Sequence, residues 1–441
     1  MKTNSFLYML SLLFVIGVSA QTELRPVDQA EKDQLIDSIT SILDANYVFP
    51  EVALEMSALL DKNLRKGSYD KISDPHELAE LLTTDLQSIS NDLHLRVRYE
   101  AEQIERMRNA EVSVQDSIDL VQRRLHHNRA NNYGFKKVDI LDGNIGYLEL
   151  SGFWGVDEEA GAAAEAAMNF LSNSDAFIID LRQNGGGSPA MIQLITSYLY
   201  GPNRVHLNNF YNRPNDSYSQ TWTLPYVPGK RRPDVPVYVL TSSSTFSAAE
   251  EFSYNLKHLE RATLIGETTG GGAHPGGTRI ATDRFTIWVP DGRAINPNTE
   301  TNWEGVGVIP HVKVAASEAL EVAQIKALEE LQKNNKEGQN EQLVWVIEGL
   351  KAGKDPVMVP ASLLQSYAGN YGPRTIKFED GNLYYQREGR SSYQLVPMSE
   401  DRFMIREVPS FRIQIDKKDG EVIALIGQYQ NGRTDRSPRS R

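Results

Sequence analysis

Apolar residues recur every three to four positions through the first part of the chain. Leu35, Ile36, Ile39, Ile42 and Leu43 share one helical face, and Pro50 stops that helix or starts the next. Ala53, Met56, Leu59 and Leu60 predict a second amphipathic helix ending near Gly67. Leu78, Leu81, Leu82, Leu86 and Ile89 predict a third, with Asp74 as its cap and Pro75 at its first position. Residues 28–92 therefore read as a small helical unit. His94–Tyr99 reads as a short strand, and 100–130 is highly charged with few apolar positions, as in a solvated helix or linker.

The rhythm changes near Gly134. Ile145–Leu150 predicts a strand and Glu158–Leu171 an Ala-rich helix. Ala176–Leu181 is a nearly continuous apolar run, as in a strand covered on both faces. A helix over Pro189–Tyr200, a strand over Val237–Leu240, a helix from Ser247 to about His258 and a strand over Ala262–Ile265 follow. Such alternation implies an α/β fold with a twisted, largely parallel sheet covered by helices. Arg284–Val289 and Gly305–Val314 are expected to add strands, and Ala315–Asn334 a long helix. From about Pro356 the pattern turns β, with Asp380-Gly381 and Asp419-Gly420 as hairpin turns. The tail 431–441 is polar and expected to fray. The expected divisions are a signal peptide (1–20), an N-terminal helical domain (21–99), a charged helical connector (100–133), an α/β domain (134–335), a linker (336–355) and a C-terminal β domain (356–441).

Composition narrows the chemistry. The 441 residues carry 46 Lys and Arg against 58 Asp and Glu, a net charge of −12. That argues against nucleic acid and anionic membranes as partners. The absence of cysteine excludes disulfides, thiolate nucleophiles and zinc–thiolate sites. At the N-terminus, Lys2, the apolar run Phe6–Val18 and the small residues Val18-Ser19-Ala20 read as a secretory signal, so the mature chain is expected to be exported, periplasmic or secreted. No later stretch is long and apolar enough to span a bilayer.

Open α/β sheets bind ligands at the carboxyl ends of their strands, and two such ends are unusual here. After the strand at 176–181 comes Arg182-Gln183-Asn184-Gly185-Gly186-Gly187-Ser188-Pro189. Glycines there let backbone amides approach an oxyanion or phosphate, or simply make a flexible turn. No Gly-Lys-Ser/Thr follows, so it is not a P-loop. After the strand at 237–240, Ser247 falls where the next helix begins, its hydroxyl free to face the same crevice. Ser247-x-x-Glu250 is equally a capping box. A serine nucleophile needs a base. Of the eight histidines, His94 follows Asn91-Asp92 at a helix–strand junction, and His274 follows the glycine run Gly270-Gly271-Gly272. Either alone reads better as a surface or structural histidine. No H-E-x-x-H motif is present, and no metal or other cofactor is expected.

In combination these segments resemble a known family. The matching stretches are Asp92-Leu93-His94, Asn144–Leu148, Asp180–Gly187, Thr245–Glu250, Gly266–Pro275 and Asn302–Val308. They resemble, in order, the exported serine peptidases that include the C-terminal processing (tail-specific) proteases, the tricorn core protease and the modules of interphotoreceptor retinoid-binding protein. The resemblance covers roughly residues 28–335. It implies a crotonase/ClpP-like central sheet. It also implies Ser247 as nucleophile, and an oxyanion hole from the Ala248 amide with a glycine amide of Gly186 or Gly187. Thr268 and Gly272 stand where the Ser/Lys branch carries lysines, so the chain looks closer to the tricorn and retinoid-binding branch. There His94 would be the base and Glu304 part of the same charge network. Leu93 stands where tricorn has a serine before that histidine, and no PDZ counterpart is evident between Tyr99 and Tyr133.

The reading is therefore a serine endopeptidase acting on peptides or protein tails, a homo-oligomer being left open. The competing class is a non-catalytic carrier of an apolar ligand, as the retinoid-binding modules illustrate. The presence of Ser247, His94 and Glu304 together favours the enzyme.

Overall fold

The computed structural model describes residues 25–109, 114–334 and 340–440; the expected signal peptide lies outside them. Three amphipathic helices open the chain, α1 (Gln29–Asn46), α2 (Pro50–Arg65) and α3 (Pro75–Ser90). The Asp28 and Asp74 carboxylates cap α1 and α3 by accepting first-turn amides, and Pro50 and Pro75 stand at helix starts. Their apolar faces share one core with β1 (Arg96–Tyr99) and the distant strand β10 (Phe285–Pro290), through Leu95, Val97, Phe285, Ile287 and Val289. The N-terminal unit is thus closed by a strand nearly 200 residues downstream, a pairing no local pattern can show. Helices α4 (Ala101–Asn109) and α5 (Val114–Ala130) occupy the charged segment.

The central sheet has the order β12-β8-β7-β4-β3-β2, built from β2 (Phe135–Leu141), β3 (Ile145–Leu150), β4 (Ala176–Asp180), β7 (Val237–Thr241), β8 (Thr263–Gly266) and β12 (Val312–Lys313). All pairs are parallel except β2 with β3. Every residue of β4 and β7 is buried, because both faces are covered. Alternation sorts the side chains. Phe177, Ile179, Val237, Val239 and Leu264 meet α6 (Glu158–Phe170), α7 (Pro189–Tyr198) and α8 (Ala248–His258). Ala176, Ile178, Tyr238, Leu240 and Ile265 meet α9 (Ala319–Asn334) and α10 (Asn340–Lys354).

Several expectations change. The stretch 336–355, expected as a linker, carries α10, whose Leu343, Val346 and Ile347 bury against α9. The expected strand over 305–314 shrinks to the two residues of β12. Gly305 and Gly307 adopt φ of +68° and +69°, and Pro310 follows, which breaks an extended run. A third sheet, β11-β5-β6, is formed by β5 (His206–Asn212), β6 (Ser217–Trp222) and β11 (Gly292–Ile295), elements too polar to read as strands. The remaining strand of the middle region, β9 (Gly276–Ile280), pairs with β10.

Beyond α10 come the short helix α11 (Ala361–Tyr367) and two antiparallel sheets. One runs β13 (Gly369–Tyr371), β14 (Arg374–Glu379), β15 (Asn382–Arg387) and β16 (Ser392–Gln394). The other runs β17 (Val396–Pro397), β18 (Arg402–Met404), β19 (Phe411–Lys418), β20 (Glu421–Tyr429) and β21 (Thr434–Pro438). Asp380-Gly381 and Asp419-Gly420, all at positive φ, turn their hairpins as expected. The polar tail does not fray over 434–438. It pairs with β20, and Asp435 ties it to Arg374 at 2.6 Å.

Candidate active site

Strands β4 and β7 are parallel neighbours in register at Asp180 and Leu240, so the loops leaving their carboxyl ends must meet. They are laced together. Phe246 N–H donates to Asn184 O at 3.0 Å, and Thr245 Oγ1 donates to Leu181 O at 2.8 Å. Ser247 then sits at the start of α8 with φ +54° and ψ −120°, a conformation that costs a non-glycine residue free energy. Gly186 presses on this turn: a Cβ there would stand 2.7 Å from Ser247 Cβ and 3.0 Å from Ala248 N. At Gly187 a Cβ would strike the Phe153 carbonyl at 1.9 Å. Glycine is needed at both positions, which have φ of +110° and +137°.

The two candidate amides differ. Gly186 N–H already donates to Asn184 Oδ1 at 2.9 Å. Gly187 and Ala248 remain the pair whose amides are not engaged in this way.

Glu250 does more than cap. Its buried carboxylate accepts from Ser247 N–H at 2.9 Å, Gly271 N–H at 2.7 Å, Gly272 N–H at 2.8 Å and the Thr269 hydroxyl. One side chain thereby ties the serine turn to the second glycine run. Burial pushes its carboxyl above the usual range, against the pull of those donors. The Gly270–Gly272 run in turn lies against His94. A Cβ on Gly272 would come within 2.6 Å of His94 Cε1, and the His94 ring packs 4.6 Å from the ring of Phe246, the residue before Ser247.

His94 is carried in by the chain turn after α3, where Asn91 takes a left-handed conformation with φ +54°. Asp92 follows, wholly buried, and its Oδ1 accepts His94 N–H at 3.0 Å. The same Oδ1 lies 3.7 Å from His94 Nδ1, while Oδ2 is 2.8 Å from His274 Nδ1. Glu304 Oε2 accepts Ala273 N–H and stands 3.3 Å from His274 Nδ1. One ligating atom each of Asp92, His94 and Glu304 lies within 4.8 Å of the others. Both Asp92 oxygens and Glu304 Oε2 already meet protein donors, while Glu304 Oε1 is buried without a hydrogen-bond partner. Burial pulls the His94 imidazole below its ordinary value, Asp92 partly offsets this, and His274 and Arg96 add to it. Burial and the Asp92 charge push Glu304 up to about 9.

The structure thus brings Ser247, Ala248, Gly186 and Gly187 into one crevice. His94 reaches its edge through Phe246 and Gly272, and Glu304 lies in the cluster behind His94. Two residues in contact with this cluster were not singled out from the sequence: Asp92, quoted only as part of a matching stretch, and His274, read as a surface or structural histidine. The spacing Asp-x-His was the available signal for the first. Nothing local could have paired Asp92 with a histidine 182 residues away.

The family model described as peptidase family S41 matches residues 144–314, and that of the N-terminal domain of Peptidase_S41 in eukaryotic IRBP matches residues 29–131. Among solved structures, a lipoprotein from Streptococcus agalactiae is 13% identical, covering 68% of this chain and 96% of its own, with a TM-score of 0.44. The photosystem II D1 C-terminal processing protease is 15% identical, with 65% and 94% covered and a TM-score of 0.41. Tricorn protease is 15% identical, with 73% and 37% covered and a TM-score of 0.43. The two family matches follow one another over the helical unit and most of the central sheet, and the chain belongs to peptidase family S41.

Proposed function

We propose that this peptidase is an exported serine-type endopeptidase that hydrolyses peptide bonds in peptides or protein tails. The observation that carries the reading is the strained Ser247 turn, pressed by Gly186 at the amino end of α8. A strained residue persists where the surroundings over-determine it, and such residues concentrate at reacting centres. Ser247 is the nucleophile: its Oγ attacks the scissile carbonyl carbon as His94 takes the hydroxyl proton. The amides of Ala248 and Gly187 receive the developing oxyanion, at the positive end of the α8 dipole. His94 then hands its proton to the leaving amine, and water repeats the sequence on the acyl-enzyme. Gly186 shapes the hole rather than donating to it, because its N–H serves Asn184. Glu304 belongs to the charge network behind His94. Export rests on the amino-terminal segment Met1–Ala20. Among the described residues, no helix is long and apolar enough to cross a membrane.

A fluorophosphonate probe tests the reading. Ser247 Oγ displaces fluoride, forming an Oγ–P bond, and the proton passes to His94. The wild-type chain should be labelled at Ser247 and should cleave an unfolded test protein. Ser247→Ala should lose both, and His94→Ala should lose several orders of magnitude in turnover. An unlabelled wild type would instead favour an apolar-ligand carrier. Cleavage by Ser247→Ala at the wild-type rate would remove Ser247 from the mechanism.

A further inference from the structure

A histidine that accepts a proton through Nε2 must hold its other proton on Nδ1, and that N–H needs an acceptor to fix the tautomer. His94 Nδ1 is buried and has no hydrogen-bond partner in the structure. The carboxylate at ion-pair distance is Asp92, with Oδ1 at 3.7 Å. Closing by under an ångström would make the bond, and such contacts tighten when substrate binds.

Asp92 is built to serve as that acceptor. Its backbone sits two residues before His94, and its Oδ1 already holds His94 N–H, so carboxylate and imidazole move as one turn. Its other oxygen is taken by His274 Nδ1 at 2.8 Å. That imidazole is itself fixed by the edge of the Phe49 ring at 5.4 Å and by Glu304 at 3.3 Å. Two neighbouring buried carboxylates disfavour each other's ionisation. Burial and the adjacent Asp92 drive Glu304 toward its neutral form.

We propose that Asp92 is the positioning residue that orients His94 and stabilises its imidazolium, and that His274 is the positioning residue that holds Asp92 in place. Glu304 then acts at one remove, through His274. This rests on the reading of Ser247 and His94 as nucleophile and base. The groups facing the pair are Arg96 on β1, Tyr47 at the end of α1, His274 and Glu304 on the loops after β8 and β11, and Glu250 on α8 beside Glu304.

Two readouts on the full mature chain decide the matter. The first is an NMR titration of the His94 imidazole. The second is the pH profile of Ser247 labelling by a fluorophosphonate. In Asp92→Asn, Oδ1 survives to hold the backbone but the charge is gone. The His94 titration should fall by about one pH unit, since an opposite charge at this range raises an imidazole by that order. The acidic limb of labelling should move with it, and the plateau rate should drop on the order of 100-fold. In His274→Asn the amide can replace Nδ1 as donor, so labelling should stay within about tenfold of wild type. His274→Leu removes the donor and should behave like Asp92→Asn. These His274 variants keep the test decisive should Asp92→Asn fail to fold. A His94 titration unmoved in both Asp92→Asn and His274→Leu overturns the proposal, even if their rates fall, because only a structural effect would then remain. Equal losses in His274→Asn and His274→Leu also count against it. Failure of the serine-hydrolase reading looks different: an unlabelled wild-type Ser247, with the NMR arm still reporting whether Asp92 governs His94.

Discussion

At the residue scale, the free energy stored at Ser247 has a measurable counterpart. A non-glycine residue at φ +54° and ψ −120° costs on the order of 1–3 kcal/mol, and glycine escapes most of it. Neither Ser247→Ala nor Ser247→Gly retains a hydroxyl, so both should be inactive. Ser247→Gly should nonetheless resist urea better than Ser247→Ala by about 1 kcal/mol, the strain relief exceeding glycine's entropic handicap. Equal midpoints, or a less stable glycine variant, would show that the turn is not strained. Stability lost in the service of geometry is expected of a nucleophile and not of an ordinary cap. That separates the two readings of Ser247-x-x-Glu250 that the sequence leaves open. The structure adds a reason the cap alone is insufficient, because Glu250 spends most of its acceptor capacity on Thr269, Gly271 and Gly272.

At the element scale, α8 carries a second carboxylate that the proposed chemistry does not use. Glu251 is wholly buried beside Asn208 of β5 and Asn255, and burial pushes it up to about 7 from an ordinary 4.5. In the unfolded chain it ionises near 4.5. In the folded chain it stays protonated until about 7, so folding takes up a proton between those values. Stability from this group is therefore fully present below pH 4.5 and is lost as pH rises to about 7. Glu251→Gln cannot titrate and should lack that slope. The melting-temperature difference, variant minus wild type, should grow from pH 5 to pH 7.5 and then level off. A difference independent of pH would mean that Glu251 is not a buried acid.

Elements also set what could be read in advance. The parallel strands β4 and β7 and the helices around them follow from local patterns, because each is a long apolar run or a clean helical face. So do α1–α3, whose caps and prolines mark their ends. The β5–β6 hairpin was invisible, since Asn208, Asn209, Ser219 and Gln220 give no apolar alternation and its stability comes from pairing with β11. Helix α10 was hidden by the polar flank that precedes it. Within the site, local pattern placed Ser247 and the glycines at strand-to-helix turns but left a cap and a flexible turn open, and it was the resemblance of the ordered segments that singled them out. The Asp92–His274 contact was not, because it joins the turn after α3 to the loop after β8.

At the scale of the whole molecule, α10 couples the central sheet to the carboxyl-terminal sheets. One of its faces packs on α9, and Lys351 pairs with Glu329 at 2.6 Å. Its other face holds Arg412, whose guanidinium is buried and stacks 3.8 Å above the Trp345 ring. Glu348 answers that charge at 2.6 Å and also reaches Arg402 at 3.0 Å. Burial and the neighbouring Arg402 already pull Arg412 down to about 10, so the pairing with Glu348 is what keeps a cation tolerable there. Removing one partner of a buried pair leaves an uncompensated charge. Glu348→Ala should therefore weaken the carboxyl-terminal sheets by about 2 kcal/mol, discounted from the fully buried case because Glu348 is partly exposed. Hydrogen exchange should quicken in β18–β20, while the amides of β4 and β7 and the rate of Ser247 labelling stay at wild-type values. Faster exchange spread evenly over the central sheet would mean that the two regions unfold as one cooperative unit. Unchanged exchange in β18–β20 would mean that the Trp345 ring and the Trp345 carbonyl, which accepts from Arg412 Nη2, suffice for Arg412. The contrast matters for function. A separately unfolding carboxyl-terminal part could bind or release a substrate without disturbing the serine turn, whereas a single unit would tie any event there to the stability of the site itself.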